Sequence, residues 1–254
     1  MVKRIPWSRQ ELLAAFRLYC RTPFGQLHQT NQDVIELARV LGRTPAAVSM
    51  KACNFASFDP AHRKRGVAGL RHASRADRDL WREFEENAEK IAVEAEAACA
   101  SLSLCEGEEA DGDGLVIPDG PTEVLGAARI RRVQGFFRDA VMVSYDYRCA
   151  LSGIAFPQLL NASHIIPWRD SIERRADPRN GIALNALYDR AFDRGLITFD
   201  EEMRLVVSSR LKSKNPPTLQ RQALLEVEGT RLRPAQRFAP DPVALAYHRE
   251  RIFA

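Results

Sequence analysis

The chain has 254 residues, 45% of them hydrophobic, and a formal net charge of +4, which is enough for one large domain or two ordinary ones. No run of about 18 apolar residues exists to span a membrane, and the opening Met-Val-Lys-Arg-Ile-Pro-Trp lacks the apolar stretch of a secretory signal. The five cysteines, Cys20, Cys53, Cys99, Cys105 and Cys149, are scattered and form no CxxC pair; this argues against a disulfide framework and a zinc knuckle and suits a reducing cytoplasm.

The small net charge hides an asymmetry. Residues 83–123 hold thirteen acids and one base, Lys90, while the rest of the chain holds 36 basic and 20 acidic residues. Two basic lobes around an acidic connector suit a polyanionic partner, because neutralising phosphates supplies most nonspecific affinity for nucleic acid. Ordinary surface solubility is the plainer account of the same charges.

Residues 7–21 (WSRQELLAAFRLYCR) predict a helix with Leu12, Leu13, Phe16, Leu18 and Tyr19 largely on one face and Ser8 as its N-cap. Thr22-Pro23-Phe24-Gly25 ends it. Asn31-Gln32-Asp33 opens a second helix over 34–41 with Ile35, Ala38 and Leu41 as its buried stripe. Gly42 stands where a helix end calls for a left-handed residue. Thr44-Pro45 starts a third helix, threonine at the N-cap and proline at the first helical position.

Helix, short glycine turn, helix is the layout of a helix-turn-helix. Its second helix would bring Ser49, Lys51 and Asn54 to the major groove of double-stranded DNA; a small bundle that only packs is the alternative. Residues 55–60 read as a turn and 62–66 (HRKRG) as a basic loop. Ser74 caps a helix through Asp77, Leu80, Trp81 and Phe84, which trails into an exposed, alanine-rich helix over 85–100. The glycine- and acid-rich stretch 105–121 reads as a linker. The expected organisation is therefore a helical DNA-recognition domain over 1–104, the acidic linker, and a second domain over 122–254.

Residues 122–147 read as helical. Val133, Phe136, Phe137, Val141 and Val143 make an apolar stripe, and the interleaved Arg129, Arg131, Arg132 and Arg138 offer a phosphate-binding face or a solvated one. Residues 204–209 alternate like a strand, Asn215-Pro216-Pro217 breaks the chain, and 234–242 is a loop. A last helix over 243–253 packs back, with His248 a surface or packing residue.

The stretch from 149 to 200 carries the chemistry. Within Ser163-His164-Ile165-Ile166-Pro167-Trp168 lies the only histidine between His72 and His248. Asn180 follows sixteen residues later, Asp189 nine after that, and Asp193 four further on. This order reads as a hairpin or loop carrying histidine and asparagine, then a short helix over 185–193 carrying acids. Phosphodiester hydrolysis needs an activated water, a cation and a phosphate held still. A neutral imidazole can take the proton from water. Carboxylates four apart on a helix share one face, and hard oxygen ligands suit Mg²⁺ or Mn²⁺ held with several waters. Taken singly, each residue has a duller role: a satisfied strand histidine, a turn asparagine, a solvated acidic pair.

Together with Arg131-Arg132-x-Gln134-x-x-Phe137-Arg138, Tyr147-x-Cys149-Ala-Leu-Ser-Gly153 and Phe192-Asp193-Arg194-Gly195-Leu196-Ile197-Thr198, this constellation resembles the HNH endonucleases of the bacterial restriction-type branch over about 129–203. The stretch through Gly42-Arg-Thr-Pro45 and Asn54 to Pro60 is similar to the domain that often precedes the module. The resemblance implies an α+β chain: a mainly helical, helix-turn-helix or winged-helix-like N-terminal domain, then a ββα-metal nuclease domain. It implies His164 as base, Asn180 as the residue fixing the loop that orients it, and Asp189, Asp193 and Ser163 at a Mg²⁺ or Mn²⁺ ion, with no structural zinc. DNA contacts would come from Arg131, Arg132, Arg138, Arg148 and Arg169 beside Ser49, Lys51 and Asn54. Two positions depart from the pattern. Asp189 stands where the last histidine would fall, and Ser163 where relatives often carry an acid.

The function expected is metal-dependent cleavage of DNA of restriction type by a homodimer, each HNH module nicking one strand. Modified cytosine is a candidate target, for which Trp7, Phe55 and Phe58 could wall a base pocket. The competing expectation is a noncatalytic DNA-binding regulator with a degenerate HNH module; an RNA-directed or toxin-like nuclease is a third.

Overall fold

A computed structural model describes residues 5–66, 73–102, 104 and 121–254, with side chains in the helix that begins at Pro121 described from Ile130 onward. Helix α1 (Arg9–Arg21) starts at a capping box: Glu11 N donates to Ser8 Oγ at 3.3 Å, and the Glu11 carboxylate accepts from Ser8 N at 2.6 Å, which satisfies two otherwise orphaned donors. Every residue from Leu12 to Cys20 is buried. The one-faced stripe expected here is thus corrected: α1 is a central helix, covered on all sides.

Helices α2 (Gln32–Val40) and α3 (Pro45–Ala56) are capped by Asn31 and Thr44 as the sequence suggests. Gly42 joins them at φ +61°, in the left-handed region glycine enters without steric cost, and Arg43 N closes the end of α2 on Ala38 O at 2.9 Å. The buried stripe of α2 is Val34, Leu37 and Ala38, while Ile35 is exposed. Where a basic loop was expected, α4 (Pro60–Lys64) forms, because Asp59 Oδ1 accepts from Ala61 N at 2.8 Å and Pro60 fills the first helical position. His62 points inward and is fully buried.

Helix α5 (Arg75–Glu86) begins at a second capping box, Ser74 with Asp77. Helix α6 (Ala88–Ser101) is a separate element capped by Asn87, not an exposed tail of α5. Its Ile91, Ala92, Ala95, Ala98 and Cys99 are buried against α1; the small alanines let the two helices approach closely.

The 105–121 linker lies outside the described residues except for Pro121, the first residue of α7 (Pro121–Ser144). This helix serves two cores. Neighbouring positions on a helix point about 100° apart, so Val133, Phe136 and Ala140 enter the core built by α1 to α6, while Phe137, Val141 and Met142 enter the C-terminal one. Other ties join the halves. The Arg17 guanidinium pairs with Glu96 and, at 2.6 Å, with Asp139. The buried Arg237 guanidinium donates to the carbonyls of Tyr19 and Thr22, and Phe238 stacks on Trp81 with ring centroids 5.8 Å apart.

The C-terminal half holds two small antiparallel sheets. Strand β1 (Leu160–His164) pairs with β2 (Gly181–Asn185), Leu160 opposite Asn185 and His164 opposite Gly181. Helix α8 (Ala186–Asp193) follows without a gap, since the Asn185 side chain accepts from Tyr188 N at 3.0 Å and caps it. Strands β3 (Ile197–Phe199) and β4 (Leu205–Val207) form the second hairpin, followed by the short α9 (Thr218–Gln220) and by α10 (Pro242–Arg251). His248 on α10 is a packing residue: its ring stacks on Phe192 at 3.7 Å, with Nδ1 2.9 Å from Thr198 Oγ1 and Nε2 3.1 Å from the Phe192 carbonyl. The architecture is α+β, with a mostly helical first half and small sheets in the second. Among the described residues no helix is long and apolar enough to cross a membrane.

Candidate active site

The β1–β2–α8 unit gathers the residues that the sequence scatters over thirty positions. Strand alternation gives β1 two faces. On one, His164 lies against α7, its ring stacked on Phe137 at 3.7 Å and edge-on to Trp168 at 5.6 Å. On the other, Asn161 and Ser163 meet α8.

Glycine makes the first contact possible. A Cβ on Gly181 would lie 2.4 Å from Val141 Cγ2 and 2.7 Å from Phe137 Cζ, so the Asn180-Gly181 pair lets α7 press onto the hairpin and bring Phe137 to the histidine.

The imidazole is held in one tautomer. Nε2 of His164 lies 3.0 Å from the carbonyl oxygen of Arg175. A carbonyl only accepts, so Nε2 carries the proton and Nδ1 is left with its lone pair. Burial pushes the ring down to about 4, outweighing the Arg175 carbonyl and Asp189, which favour its protonated form. The ring is therefore neutral, with a free basic nitrogen, through the physiological range.

Asn180 secures the carbonyl that holds the ring. It is buried; its Oδ1 accepts from Ile166 N at 2.8 Å, and its Nδ2 donates to the carbonyls of Ile166 at 3.1 Å and Arg174 at 3.4 Å. Its own carbonyl accepts from Ile165 N at 2.9 Å. Arg175 closes the loop from within, Nε donating to Trp168 O at 2.8 Å. One asparagine thus ties both ends of the loop whose carbonyl fixes His164.

The acids sit on α8. Asp189 accepts from Ser163 Oγ at 2.5 Å and from Asn161 Nδ2 at 2.7 Å. Asp193, one turn on, is exposed and accepts no hydrogen bond from a described residue. Partial desolvation, with the like charge of Asp189 second, pushes its carboxyl up to about 6 against the opposing pull of Arg190 and Arg194. Among the described residues no three His, Cys, Asp or Glu side chains converge on a metal site. The hard-oxygen set is instead two carboxylates beside a hydroxyl and an amide. Two carboxylates on one helix face, one of them raised chiefly by desolvation and further by its neighbour, fit a divalent cation, which would relieve their repulsion.

The expected nucleic-acid residues divide. Lys51 and Asn54 are 7% and 8% exposed and both bond the buried Asp77, at 2.7 and 2.9 Å. Turned inward to tie α3 to α5, they do not present a groove-reading face. Ser49, partly buried, donates to Leu27 O at 2.7 Å. Phe55, a candidate base-pocket wall, is wholly buried in the core. Arg131, Arg132, Arg148 and Arg169 are exposed, Arg169 beside Asp170 at 3.3 Å. Arg138 is exposed yet spends its guanidinium on the carbonyls of Leu160 at 2.9 Å and Pro157 at 3.3 Å.

Sequence reasoning missed Asn161 and the flanking pair Arg190 and Arg194, both exposed. Asn161 was within reach: it stands two residues before Ser163, on the same face of any strand that carries Ser163.

Residues 149–200 match the family model described as HNH endonuclease. The match spans the β1–β2–α8 unit and β3. The likeness covers that stretch alone and supports nuclease chemistry in general. No curated protein matches the chain.

Proposed function

We propose that this chain is a metal-dependent DNA endonuclease of restriction type, in which His164 is the general base. The observation that supports this best is the imidazole with Nε2–H fixed on the Arg175 carbonyl and Nδ1 free. In this reading Nδ1 takes the proton from the attacking water, the step a positioned neutral base accelerates. Asn180 keeps the 165–175 loop, and hence the ring, in place; a misplaced base loses rate steeply. Asp189 and Asp193 would hold Mg²⁺ or Mn²⁺ with Ser163 alongside; such a cation stabilises charge on the phosphate and the leaving oxygen. Arg131, Arg132, Arg148, Arg169, Arg190 and Arg194 supply positive charge for the DNA backbone. A homodimer would bring two nicking modules to the two strands.

The test is cleavage of matched unmodified, 5-methylcytosine and 5-hydroxymethylcytosine plasmids with Mg²⁺ or Mn²⁺, beside His164→Ala. Cutting that is lost in the variant is the expected result. Restriction of cutting to one modified plasmid makes the enzyme modification-dependent, and equal cutting of all three removes that specificity while leaving the nuclease. Intact plasmids in every arm, with DNA still bound, would overturn the nuclease reading in favour of a noncatalytic DNA-binding protein. Light scattering of the free protein checks the dimer, and a monomer at high concentration counts against it.

A further inference from the structure

We propose that Asn161 is a positioning residue for the cation site, its amide acting with the Ser163 hydroxyl to fix the Asp189 carboxylate for a divalent ion. The inference rests on the metal-dependent reading above. Strand β1 sends Asn161 and Ser163 to the same face, toward α8, and both donate to one acceptor: Ser163 Oγ to Oδ1 at 2.5 Å, Asn161 Nδ2 to Oδ2 at 2.7 Å.

A terminal carboxylate torsion is otherwise broad. One donor on each oxygen fixes the plane of the group, and because each carboxylate oxygen can accept more than once, acceptor capacity remains on both.

The chemical type of the donors matters as much as their number. A guanidinium or ammonium in the place of Asn161 would neutralise Asp189 and compete with a cation, as Lys51 neutralises Asp77 at 2.7 Å elsewhere in this chain. An amide and a hydroxyl orient the carboxylate and leave its charge intact. Asp193 has no such support, so the site pairs one held acid with one free one. A donor to Asp189 therefore sets metal affinity without being a ligand, the behaviour of groups that orient metal-binding side chains.

The experiment is a Mn²⁺ titration followed by electron paramagnetic resonance of the free ion, on the full chain without DNA. Wild type is compared with Asn161→Ala and Asn161→Gln, with thermal midpoints measured alongside. Asn161→Ala should weaken Mn²⁺ binding about tenfold, while Asn161→Gln, which keeps an amide donor, should recover most of the loss. Undiminished Mn²⁺ binding by Asn161→Ala overturns the proposal. So does equal weakness in both variants, which would make Asn161 a matter of packing. A wild-type chain that binds no Mn²⁺ overturns the metal-dependent reading itself and this proposal with it, an outcome visible before any variant is compared.

Discussion

The helical half and the β1–β2–α8 unit treat charge in opposite ways. In the helical half, two of the buried charges sit in closed pairs. Asp77 receives the Lys51 ammonium, the Asn54 amide and Ser74 N, and Arg17 is bracketed by Glu96 and Asp139. In the ββα unit the polar groups are oriented but left open. Asp189 receives neutral donors only, Asp193 accepts from no described residue, and His164 commits one nitrogen and keeps the other. A closed pair stabilises the fold because nothing is left to react. An open, oriented group costs stability and retains the capacity to bind or to move a proton. Chemistry can thus be located by asking which polar groups have spare valence after the fold has used what it needs.

Breaking the open side should give the largest effect. His164→Ala removes the one free basic nitrogen of the module, and cleavage should fall about 10³-fold with DNA binding retained; gel assays of both on the same preparation check it. Breaking the closed side should act on stability instead. Asp77→Ala strands the Lys51 ammonium in the core and removes the Asp77 half of the α5 capping box, so chemical denaturation should show a loss of about 3–5 kcal/mol. Specific activity of the protein that remains folded should be little changed. If Asp77→Ala instead abolished cutting while keeping its denaturation midpoint, the division between the two regions would be wrong.

The difference also explains what the sequence could disclose. The hairpin, α8 and the capped starts of α1, α2, α3 and α5 were legible because they rest on local chemistry: Ser8 with Glu11, Asn31, Thr44 before Pro45, Ser74 with Asp77. The spacing of His164, Asn180, Asp189 and Asp193 was legible for a similar reason, since one short unit carries all four. What failed depended on partners far along the chain. Lys51 and Asn54 look like surface residues of a recognition helix until α5 brings Asp77, more than twenty residues on, beneath them. Helix α6 looks exposed because its acids are visible in sequence and its burial against α1 is not. His62 reads as part of a basic loop, yet Phe24 covers its ring at 4.8 Å. The Arg175 carbonyl that fixes the histidine tautomer is backbone, and side-chain identity says nothing of it.

His62 is an exception within the helical half. Both its ring nitrogens are buried and have no hydrogen-bond partner among the described residues. Burial, then the nearby Arg237 and Arg65, pushes the ring down to about 4. An unfolded histidine takes up its proton near pH 6.5, so the unfolded state binds more protons between that value and about 4. Stability present above pH 6.5 is therefore lost as pH falls through that window, by about 2 kcal/mol at pH 5 for such a shift. His248, also pushed down to about 4 by burial, acts in the same direction. His62→Phe should flatten the acid limb of a denaturation-midpoint curve between pH 6.5 and 4; an unchanged limb would mean that the ring is hydrated.

The smallest effect expected is the most diagnostic, because its sign separates the two regions. Asp193→Asn removes a charge that forms no ion pair with a described residue, feels only the weaker pull of Arg190 and Arg194, and is crowded by Asp189. Since the residue is exposed, the relief is of surface magnitude, a gain in stability below about 1 kcal/mol. The same substitution removes one of two anionic oxygen donors, so Mn²⁺ affinity and cleavage should fall together. Asp77→Asn, the matched change in a closed pair, should lose stability instead and leave metal binding alone. Denaturation and Mn²⁺ titration of both variants test this directly. Opposite signs in stability, with metal binding lost only in Asp193→Asn, follow only if Asp77 is spent on the fold and Asp193 is kept from it; a loss of stability in Asp193→Asn would show that the fold relies on this acid as well.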